Sequence, residues 1–568
     1  METITDPLVR FRRMRQPNSL SDDGVKDYRR RGYWQGRLFV DFVDSHAAAD
    51  PDKIAIIEAA SQIRLSYKQI RDKTKNLAVG LIRLGISKSD VVAIQTPNWH
   101  ELVICHLALN RIGAIFLPLH HGFREADIRH LLKHTSAKAF IYPGSYTEFD
   151  YRAFLEDLRG ELPNLHKKFV MRGKPLEGEL SFENLTSDCS LIEENGDDFL
   201  ELNRPNATES KHIMVSSGTT AKPKCAVYCD DATIFKIIHQ YGNYACHLTS
   251  DDIAAGIAPA GTGATGYSFP VMAPLLFGGT SVLLEHWSGT APEAALELIE
   301  THRCTYAVMI PTQLVKLLNL PNIENYDLTC LRLITTAGAK LLPDVAAEAE
   351  RRFSCVIQNL YGTTDAGVAT VTSVNDSPQQ RLTEGRPPPG QELKIIGSDG
   401  RSEKSNKAGE ICWRGPNQSY GFFNAPEENE KVWDDEGWYH SGDIGTLDDS
   451  GYLTIVGRKK DMIIRGGQNI HPGQIEEIIH RHEKVVEAAV IPVNHEMLGE
   501  IACAVIVPTS LDSPPSLNEL NQSIIDEGLP VWSQPERVLF VDDFPRNSGG
   551  KVDKRALIGK LSDFNSNK

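Results

Sequence analysis

Residues 212–227 read HIMVSSGTTAKPKCAV, a β-rich run followed directly by a loop of hydroxyl residues, one glycine and two lysines. Such a loop suits phosphate, because small residues let backbone N–H groups approach phosphoryl oxygens while Lys222 or Lys224 supplies positive charge. The Gly-Lys-Ser/Thr ending of a Walker A loop is missing. We therefore predict a strand followed by a phosphate-binding loop, whose small residues are Ser216, Ser217, Gly218, Thr219 and Thr220.

Upstream of this loop, strand-like runs alternate with helix-patterned segments. KIAIIEA at 53–59 and DVVAIQTP at 90–97 are separated by the helical segment 67–85. A second round follows, with a helix over 101–113 and the strand-like AIFLPL at 114–119. Alternation of this kind predicts an α/β fold in which crossover helices connect the strands of a parallel sheet.

Downstream, the pattern changes twice. The Pro- and Gly-bearing stretch 384–393 precedes shorter strand-like runs, which suggests smaller antiparallel sheets. After GYLTIVGRKKD at 451–461 the pattern restarts as strand, helix, two strands and a final helix near Leu517. We therefore predict an N-terminal domain over 1–457 and a C-terminal domain over 458–568.

Charge and composition exclude several function classes. The 568 residues contain 60 Lys and Arg against 75 Asp and Glu, a net charge of −15 that argues against a nucleic-acid-binding protein. The ten cysteines include no C-x-x-C pair, so neither a zinc site nor a disulfide framework is suggested, and a cytoplasmic protein fits best. The uncharged stretch 253–284 is rich in Gly, Pro, Ser and Thr, which favours a buried wall over a membrane span.

The loop SSGTTAKPK resembles the phosphate loop of the AMP-forming acid ligases, the adenylate-forming superfamily. Four further motifs similar to those of the family follow in its order: YGTTDAG at 361–367, GWYHSGD at 437–443, GRKKDMIIRGGQNIHPGQIEEI at 457–478 and PRNSGGKVDKRAL at 545–557. The opening segment 27–57 resembles the branch that activates aromatic and alicyclic acids, which includes dihydroxybenzoate-adenylate synthases and cyclohexanecarboxylate-type CoA ligases.

The resemblance implies a fold and a reaction. The fold would combine a large N-terminal domain of parallel α/β sheets, a small β-barrel-like subdomain and a small mobile α+β C-terminal domain. In the first half-reaction a carboxylate and ATP, with Mg²⁺, would give an acyl-adenylate and pyrophosphate. In the second, a thiol such as coenzyme A would attack the adenylate.

The resemblance also assigns roles within two N-terminal motifs. Thr364 matches the residue that touches the α-phosphate, and Asp365 matches the carboxylate on Mg²⁺, where the family usually has Glu. The shorter carboxylate leaves a gap that a water could bridge. Tyr361 matches the residue stacked on adenine, and Gly362 and Thr363 follow it in the ATP- and AMP-binding set. The stretch TTAGAK at 335–340 resembles the strand-end turn that lines the adenine pocket, which adds Gly338 and Ala339 to this set.

Toward the C-terminus, the resemblance assigns the remaining nucleotide contacts. Asp443 matches the acid that binds both ribose hydroxyls, with Arg458 assisting it, and Lys551 in its Gly-rich loop matches the catalytic lysine. Lys460 matches the hinge residue, about which the C-terminal domain would turn between the two half-reactions. Two side-chain-free residues that would leave room for the pantetheine arm of coenzyme A are Gly466 and Gly467.

The acid pocket is expected near residues 228–239 and 259–269, where the family brings a helix and a loop together. Small residues in the second stretch leave volume for a cyclic, aromatic or branched acid. The pocket residues that we predict are Tyr228, His239, Gly261, Thr262 and Gly263.

The thiol acceptor is open to two interpretations. Dihydroxybenzoate-type synthases carry a His-Asn pair where we place Cys229 and Asp230, so the phenol-directed Asn is missing and a coenzyme A ligase is favoured. The alternative is an aryl-acid adenylate synthase that loads a separate carrier protein. A nucleotide-binding protein without catalysis is a third reading, supported only by the change at Asp365. A homodimer is compatible with all three.

Overall fold

The structure is a computed structural model that describes residues 22–144, 146, 149–158, 160–187, 196–216, 222–403, 405–466, 468–495, 497–546 and 552–565. By packing, the chain divides into two compact units. The first unit comprises the chain up to Glu392 together with Trp413–Tyr439. The second comprises Leu393–Cys412 and the chain from His440 onward. The predicted boundary after residue 457 stays a prediction.

The first unit contains two large sheets. An eight-stranded sheet has the order β15-β14-β13-β12-β10-β11-β1-β2, and a seven-stranded sheet has the order β7-β6-β5-β3-β4-β8-β9. Pairing within both is mainly parallel, as the α/β prediction requires. The strands are β1 Ile54–Glu58, β2 Arg64–Ser66, β3 Val91–Gln95, β4 Ile115–Leu119, β5 Ala139–Pro143, β6 Lys167–Met171, β7 Leu180–Ser181, β8 Lys211–Ser216, β9 Lys224–Cys229, β10 Ile253–Gly256, β11 Thr280–Leu283, β12 Tyr306–Met309, β13 Leu333–Ala337, β14 Val356–Thr363 and β15 Gly367–Val371.

Helices connect these strands. Strands such as β3 and β4 are buried at every position, because helices cover both faces of a parallel sheet. The α-helices of the first unit are α1 Asp22–Arg30, α2 Phe39–Ala49, α3 Tyr67–Arg83, α4 His100–Ile112, α5 Glu125–Thr135, α6 Tyr151–Asp157, α7 Phe182–Ser187, α8 Gly196–Leu202, α9 Asp230–Phe235, α10 Ala273–Phe277, α11 Glu293–His302, α12 Pro311–Leu318, α13 Pro343–Phe353, α14 Pro378–Arg381 and α15 Pro426–Glu430.

Two π-helices interrupt this regular pattern in the first unit. We call Lys236–Cys246 the first π-helix and Ala264–Met272 the second π-helix. A 3₁₀ turn at Ala260–Thr262 precedes the second. π-Helical turns are rare and are found mostly at functional sites. Most of the pocket stretch 259–269, which was expected to be a loop, is therefore helical. None of the described helices has the length and apolar character needed to cross a bilayer.

The second unit contains two smaller sheets. One has the order β16-β17-β18-β19, four strands in the place where a β-barrel-like subdomain is expected. The other places β21-β20-β23-β22 in order with β24 beside β23. The elements are β16 Glu392–Ile396, β17 Gly409–Arg414, β18 Tyr439–Leu447, β19 Leu453–Arg458, β20 Ile463–Arg465, β21 Gln468–Ile470, α16 Pro472–His480, β22 Val485–His495, β23 Gly499–Pro508, α17 Leu517–Asp526, β24 Arg537–Phe540 and α18 Lys554–Asn565.

A separate apolar core supports the second unit. Ile475 and Ile479 of α16 and Leu520 and Ile524 of α17 pack with residues of the five-stranded sheet, and all four are nearly inaccessible. This strand, helix, two strands and helix are the elements that the sequence pattern predicts for the C-terminal domain.

Candidate active site

The motif YGTTDAG forms the turn of the β14–β15 hairpin. A side chain at Gly362 would place its Cβ 2.3 Å from the carbonyl oxygen of Gly367, so only glycine allows the two strands to pair here. Thr363 Oγ1 accepts a hydrogen bond from the Ala366 N–H at 3.1 Å and closes the turn. The hairpin therefore presents Thr364 and Asp365 at its tip.

Asp365 carries a carboxylate oxygen without a partner. Its Oδ2 accepts a hydrogen bond from the Tyr439 hydroxyl at 3.3 Å. Its buried Oδ1 and the buried Oγ of Ser216 have no well-formed hydrogen bond to any residue that the structure describes. Burial raises the pKa of Asp365, and the Ser216 hydroxyl, the Lys224 charge and the Tyr439 hydroxyl offset this only in part.

These donors fit a magnesium ion. Mg²⁺ prefers hard oxygen ligands, usually one or two carboxylates together with water and phosphate oxygens. A buried carboxylate oxygen and a serine hydroxyl that interact without a well-formed hydrogen bond are ligands that such an ion could take. Asp365 and Ser216 could therefore hold the ion.

Thr364 joins the hairpin to the predicted acid-pocket stretches. Its carbonyl oxygen accepts a hydrogen bond from the Tyr228 hydroxyl at 2.8 Å. On its other side, a Cβ built at Gly263 would lie 3.7 Å from Thr364 Oγ1. The residue expected at the α-phosphate is thus flanked by two residues expected at the acid.

The predicted phosphate loop is only partly described. Strands β8 and β9 pair antiparallel on either side of it, with Ser216 opposite Lys224. The four loop residues Ser217, Gly218, Thr219 and Thr220 lie outside the described residues. Lys224 pairs with Glu428 at 2.8 Å, whereas Lys222 is exposed.

The residues expected around adenine lie at the ends of neighbouring strands. Gly338 and Ala339 directly follow β13, and Gly338 has a φ of +90°, a conformation that favours glycine. The Tyr361 ring on β14 packs edge-on against the Trp413 indole, with centroids 5.7 Å apart. Strands β13 and β14 are parallel neighbours, so these residues share one end of the sheet.

The two π-helices bring the predicted acid-pocket stretches together. The Tyr241 ring of the first stacks on the Phe269 ring of the second, with centroids 4.0 Å apart. The glycines between them have different roles. A Cβ at Gly261 would lie 2.6 Å from the His120 backbone, so this glycine serves close packing rather than substrate volume. Gly263 has no such crowding and faces Thr364.

Other predicted pocket residues have more varied surroundings. The His239 ring stacks on Phe235 and its Nε2 lies 3.2 Å from the Gln35 amide nitrogen. The Thr262 side chain lies outside the described residues. Lys236, which the sequence analysis did not single out, belongs to the first of these stretches and is buried, with its ammonium 5.1 Å from the Tyr228 ring centroid.

Cys229 and Asp230 are fully buried. Asp230 Oδ2 accepts hydrogen bonds from the Phe39 N–H at 3.1 Å and the Asn110 amide at 2.6 Å. Burial raises the pKa of Asp230 to about 7, although these hydrogen bonds act in the opposite direction. Through these hydrogen bonds Asp230 links the segment around Phe39 to the start of α9.

In the second unit, Asp443 and Arg458 face each other across the antiparallel β18–β19 pair. Arg458 Nε lies 2.9 Å from Asp443 Oδ1, so the two residues that the resemblance assigns to the ribose are in contact. The turn before Asp443 is held by Glu410, a residue that the sequence analysis missed. Glu410 accepts the Gly442 N–H at 3.1 Å and pairs with Lys459 at 3.1 Å.

The charge on Glu410 is well stabilised. A hydrogen bond from His440 lowers the pKa of Glu410, burial opposes this, and the neighbouring Lys459 lowers it further, to about 2. Glu410 therefore stays ionised at neutral pH and keeps its hold on the turn.

The remaining predictions concern the hinge and the thiol. Lys460 lies in an exposed 3₁₀ turn, Lys459–Asp461, directly after β19. Gly466 has a φ of +54°, and its N–H donates to the Leu498 carbonyl at 2.8 Å. Gly467 and Lys551 lie outside the described residues.

Comparison with known proteins finds similar families, relatives and structures. A family model described as AMP-binding enzyme matches residues 43–423, and one described as AMP-binding enzyme C-terminal domain matches residues 474–551. The medium-chain fatty-acid–CoA ligase of Escherichia coli (strain K12) is 30% identical over 97% of this chain and 95% of its own length. The 2,3-dihydroxybenzoate-AMP ligase of Bacillus subtilis (strain 168) is 28% identical over 95% and 97%. ATP-bound MatB from Rhodopseudomonas palustris superposes with a TM-score of 0.81 at 25% identity, covering 93% of this chain and 100% of its own.

Proposed function

The chain belongs to the AMP-binding enzyme family, and from this premise we propose that it activates a cyclic, aromatic or branched carboxylic acid and transfers it to coenzyme A. ATP and the acid give an acyl-adenylate and pyrophosphate, and the thiol then displaces AMP. The enzyme is an AMP-forming acid–thiol ligase.

The tip of the β14–β15 hairpin carries this proposal. Asp365 Oδ1 is buried beside Ser216 and lacks a partner among the described residues, and Thr364 next to it is bonded to Tyr228. A site that holds an unpaired carboxylate oxygen beside a predicted phosphate loop is prepared for a cation and a phosphate.

In the first half-reaction, two anions must approach each other, so negative charge at the α-phosphate has to be neutralised. Asp365 and Ser216 would hold Mg²⁺, which supplies charge neutralisation at the phosphates. We propose that Thr364 orients the α-phosphate, that the loop residues 217–220 bind phosphate oxygens through their N–H groups, and that Lys551 supplies a further positive charge.

Asp443 binds the ribose hydroxyls in this proposal. A carboxylate can accept one hydrogen bond at each oxygen, which suits a vicinal diol. Arg458 fixes the carboxylate through the 2.9 Å contact, and Glu410 fixes the turn before it. We also propose that the C-terminal domain turns about Lys460 between the half-reactions and that Gly466 and Gly467 leave room for the thiol.

Coenzyme A is favoured over a carrier protein as the acceptor. Asp230, placed where the dihydroxybenzoate-type synthases have a polar pair, is occupied with Phe39 and Asn110. The carrier-loading alternative draws support from the 28% identity to a 2,3-dihydroxybenzoate-AMP ligase.

ATP–pyrophosphate exchange tests the proposal. The assay would use benzoate, hydroxybenzoates, cyclohexane- and cyclohexene-carboxylates and medium-chain fatty acids, with coenzyme A then added to the best substrate. We expect exchange with cyclic acids, followed by release of AMP and acyl-CoA. Exchange without an acyl-CoA product would replace coenzyme A by a carrier protein, and absence of exchange with every acid would overturn the proposal.

A further inference from the structure

Lys236 is a buried cation at the start of the first π-helix. It is 3% exposed, and its ammonium lies over the Tyr228 ring. Burial lowers the pKa of Lys236 to about 8, and no described carboxylate offsets this. Removing an ammonium from water without a partner is costly, so such a group is retained where a function requires it.

The neighbours of Lys236 do not supply negative charge. The His212 ring stacks on Tyr228, and burial, His106 and Lys236 together hold the pKa of His212 far below its ordinary value, so the ring is neutral. Burial and the charge of Asp365 raise the pKa of Tyr228, so it stays a phenol. Within the described part of the chain, the ammonium therefore faces neutral aromatic groups and lacks an anion.

Lys236 also lies near the hairpin tip. Its ammonium lies over the Tyr228 ring, 5.1 Å from the centroid, and the hydroxyl of that ring reaches the Thr364 carbonyl at 2.8 Å. The ammonium and the Thr364 carbonyl therefore contact the same phenol, which limits their separation to about the span of one ring with a contact at each side. A substrate whose reacting carboxylate approaches the α-phosphate to about 3–3.5 Å at this tip would bring a group about one ring away within reach of Lys236.

We propose that Lys236 binds a second carboxylate on the acid substrate, so that the preferred substrates are dicarboxylic acids with one ring, or a chain of similar length, between their carboxylates. The inference rests on the proposed function. A carboxylate of the substrate supplies the counter-charge that the protein lacks, and a charge-assisted contact forms in a site from which water is excluded. A monocarboxylic acid leaves the cation buried and unpaired, which discriminates against it.

Matched pairs of acids test this role. Benzoate is compared with terephthalate, cyclohexanecarboxylate with cyclohexane-1,4-dicarboxylate, and hexanoate with adipate, each by ATP–pyrophosphate exchange. We expect kcat/KM for the diacid to exceed that for its monoacid by about 10- to 100-fold, as for a charge-assisted hydrogen bond. Lys236→Met should remove this preference and Lys236→Arg should retain it, while Lys68→Met, at an exposed helix position, should leave both rates unchanged.

The outcomes separate the two proposals. A wild-type enzyme that prefers the monoacid in every pair would overturn the role of Lys236 and leave the ligase proposal intact. Equal losses for both acids in Lys236→Met would also overturn it, because the lysine would then hold the reacting carboxylate. Absence of exchange with all six acids would overturn both proposals. If Lys236→Met does not fold, the ratio of kcat/KM for diacid to monoacid in the wild type and in Lys236→Arg still tests the role of Lys236.

Discussion

Two groups of buried charge in the first unit differ in how they are neutralised. In the Arg172 cluster, formed by Glu58, His100, Glu101 and Arg172, the guanidinium lies 2.6 Å from Glu58 Oε1 and 2.7 Å from Glu101 Oε1. Around Tyr228, by contrast, the ammonium of Lys236 has no described counter-ion and Asp365 Oδ1 has no described partner.

The difference distinguishes a structural role from a binding role. The carboxylates of the Arg172 cluster satisfy the guanidinium, and its Arg172 stacks 3.9 Å above the Trp99 ring, so nothing further is needed from a ligand. Lys236 has no described counter-ion and Asp365 Oδ1 makes no well-formed hydrogen bond to a described residue, so both atoms are available to a ligand. Unpaired buried charge therefore marks the site, whereas buried charge alone does not.

The largest effect should come from breaking the paired cluster. Arg172→Met leaves Glu58 and Glu101 buried together, and we expect unfolding free energy to fall by about 3–5 kcal/mol. Urea denaturation would measure it. Arg303→Met is the matched control, since its ion pair with Asp327 is half exposed on both sides, so solvent screens the pair and little loss of stability is expected. Similar losses of unfolding free energy in the two variants would show that the Arg172 cluster contributes no more to stability than an exposed ion pair.

A substitution at Asp365 should instead lower catalytic activity rather than stability. Asp365→Asn keeps the shape of the side chain but removes its charge, and we expect adenylation to fall by about 10²–10³-fold with little change in the urea midpoint. ATP–pyrophosphate exchange measures this loss. Asp365→Glu, which restores the family's usual residue, is the matched control and should retain most activity. Full activity in Asp365→Asn would show that the carboxylate holds no catalytic ion.

Much of this arrangement could be predicted from sequence. The alternating strands and helices of the α/β fold follow from local patterns that a reader can count. The resemblance also has Arg458 assist Asp443, and the two side chains are in contact, while their role toward ribose stays a prediction. The fold class could be predicted because each short stretch carries its own signal.

Other features could not be predicted because they depend on distant contacts. Lys236 lies in the segment ATIFKIIHQY, where the ordinary expectation for a lysine is exposure. Gly261 suggested open volume, yet the His120 backbone packs against it. Over two turns, a hydrophobic pattern does not distinguish a π-helix from an α-helix. The two π-helices of the pocket stretches therefore could not be predicted from the sequence.

A smaller effect should follow when the turn before Asp443 loses its hydrogen bond to Glu410. Glu410→Ala removes the acceptor of the Gly442 N–H, a charge-assisted hydrogen bond, and we expect KM for ATP to rise by about 10- to 30-fold with kcat less affected. Steady-state kinetics measure both values. Glu410→Gln keeps an acceptor and should recover part of the loss, while Glu527→Ala in the same unit should have no effect. An unchanged KM in Glu410→Ala would exclude a positioning role.

The smallest effect concerns the pH dependence of the Arg172 cluster. Burial would raise the pKa of Glu58, but the hydrogen bonds and charge of His100, with Ser61, lower it from 4.5 to about 2. A carboxylate whose pKa is depressed on folding stabilises the protein above its unfolded value, and this contribution declines as pH falls toward the folded value. At pH 3.5 wild type should lose about 1.4 kcal/mol of stability from this residue relative to pH 7. Glu58→Gln has no such group, so the difference in unfolding free energy between the two proteins should shrink by that amount between pH 7 and pH 3.5. Because other acids titrate equally in both proteins, urea denaturation of the pair isolates Glu58, and a pH-independent difference would mean that its charge is not stabilised by the cluster.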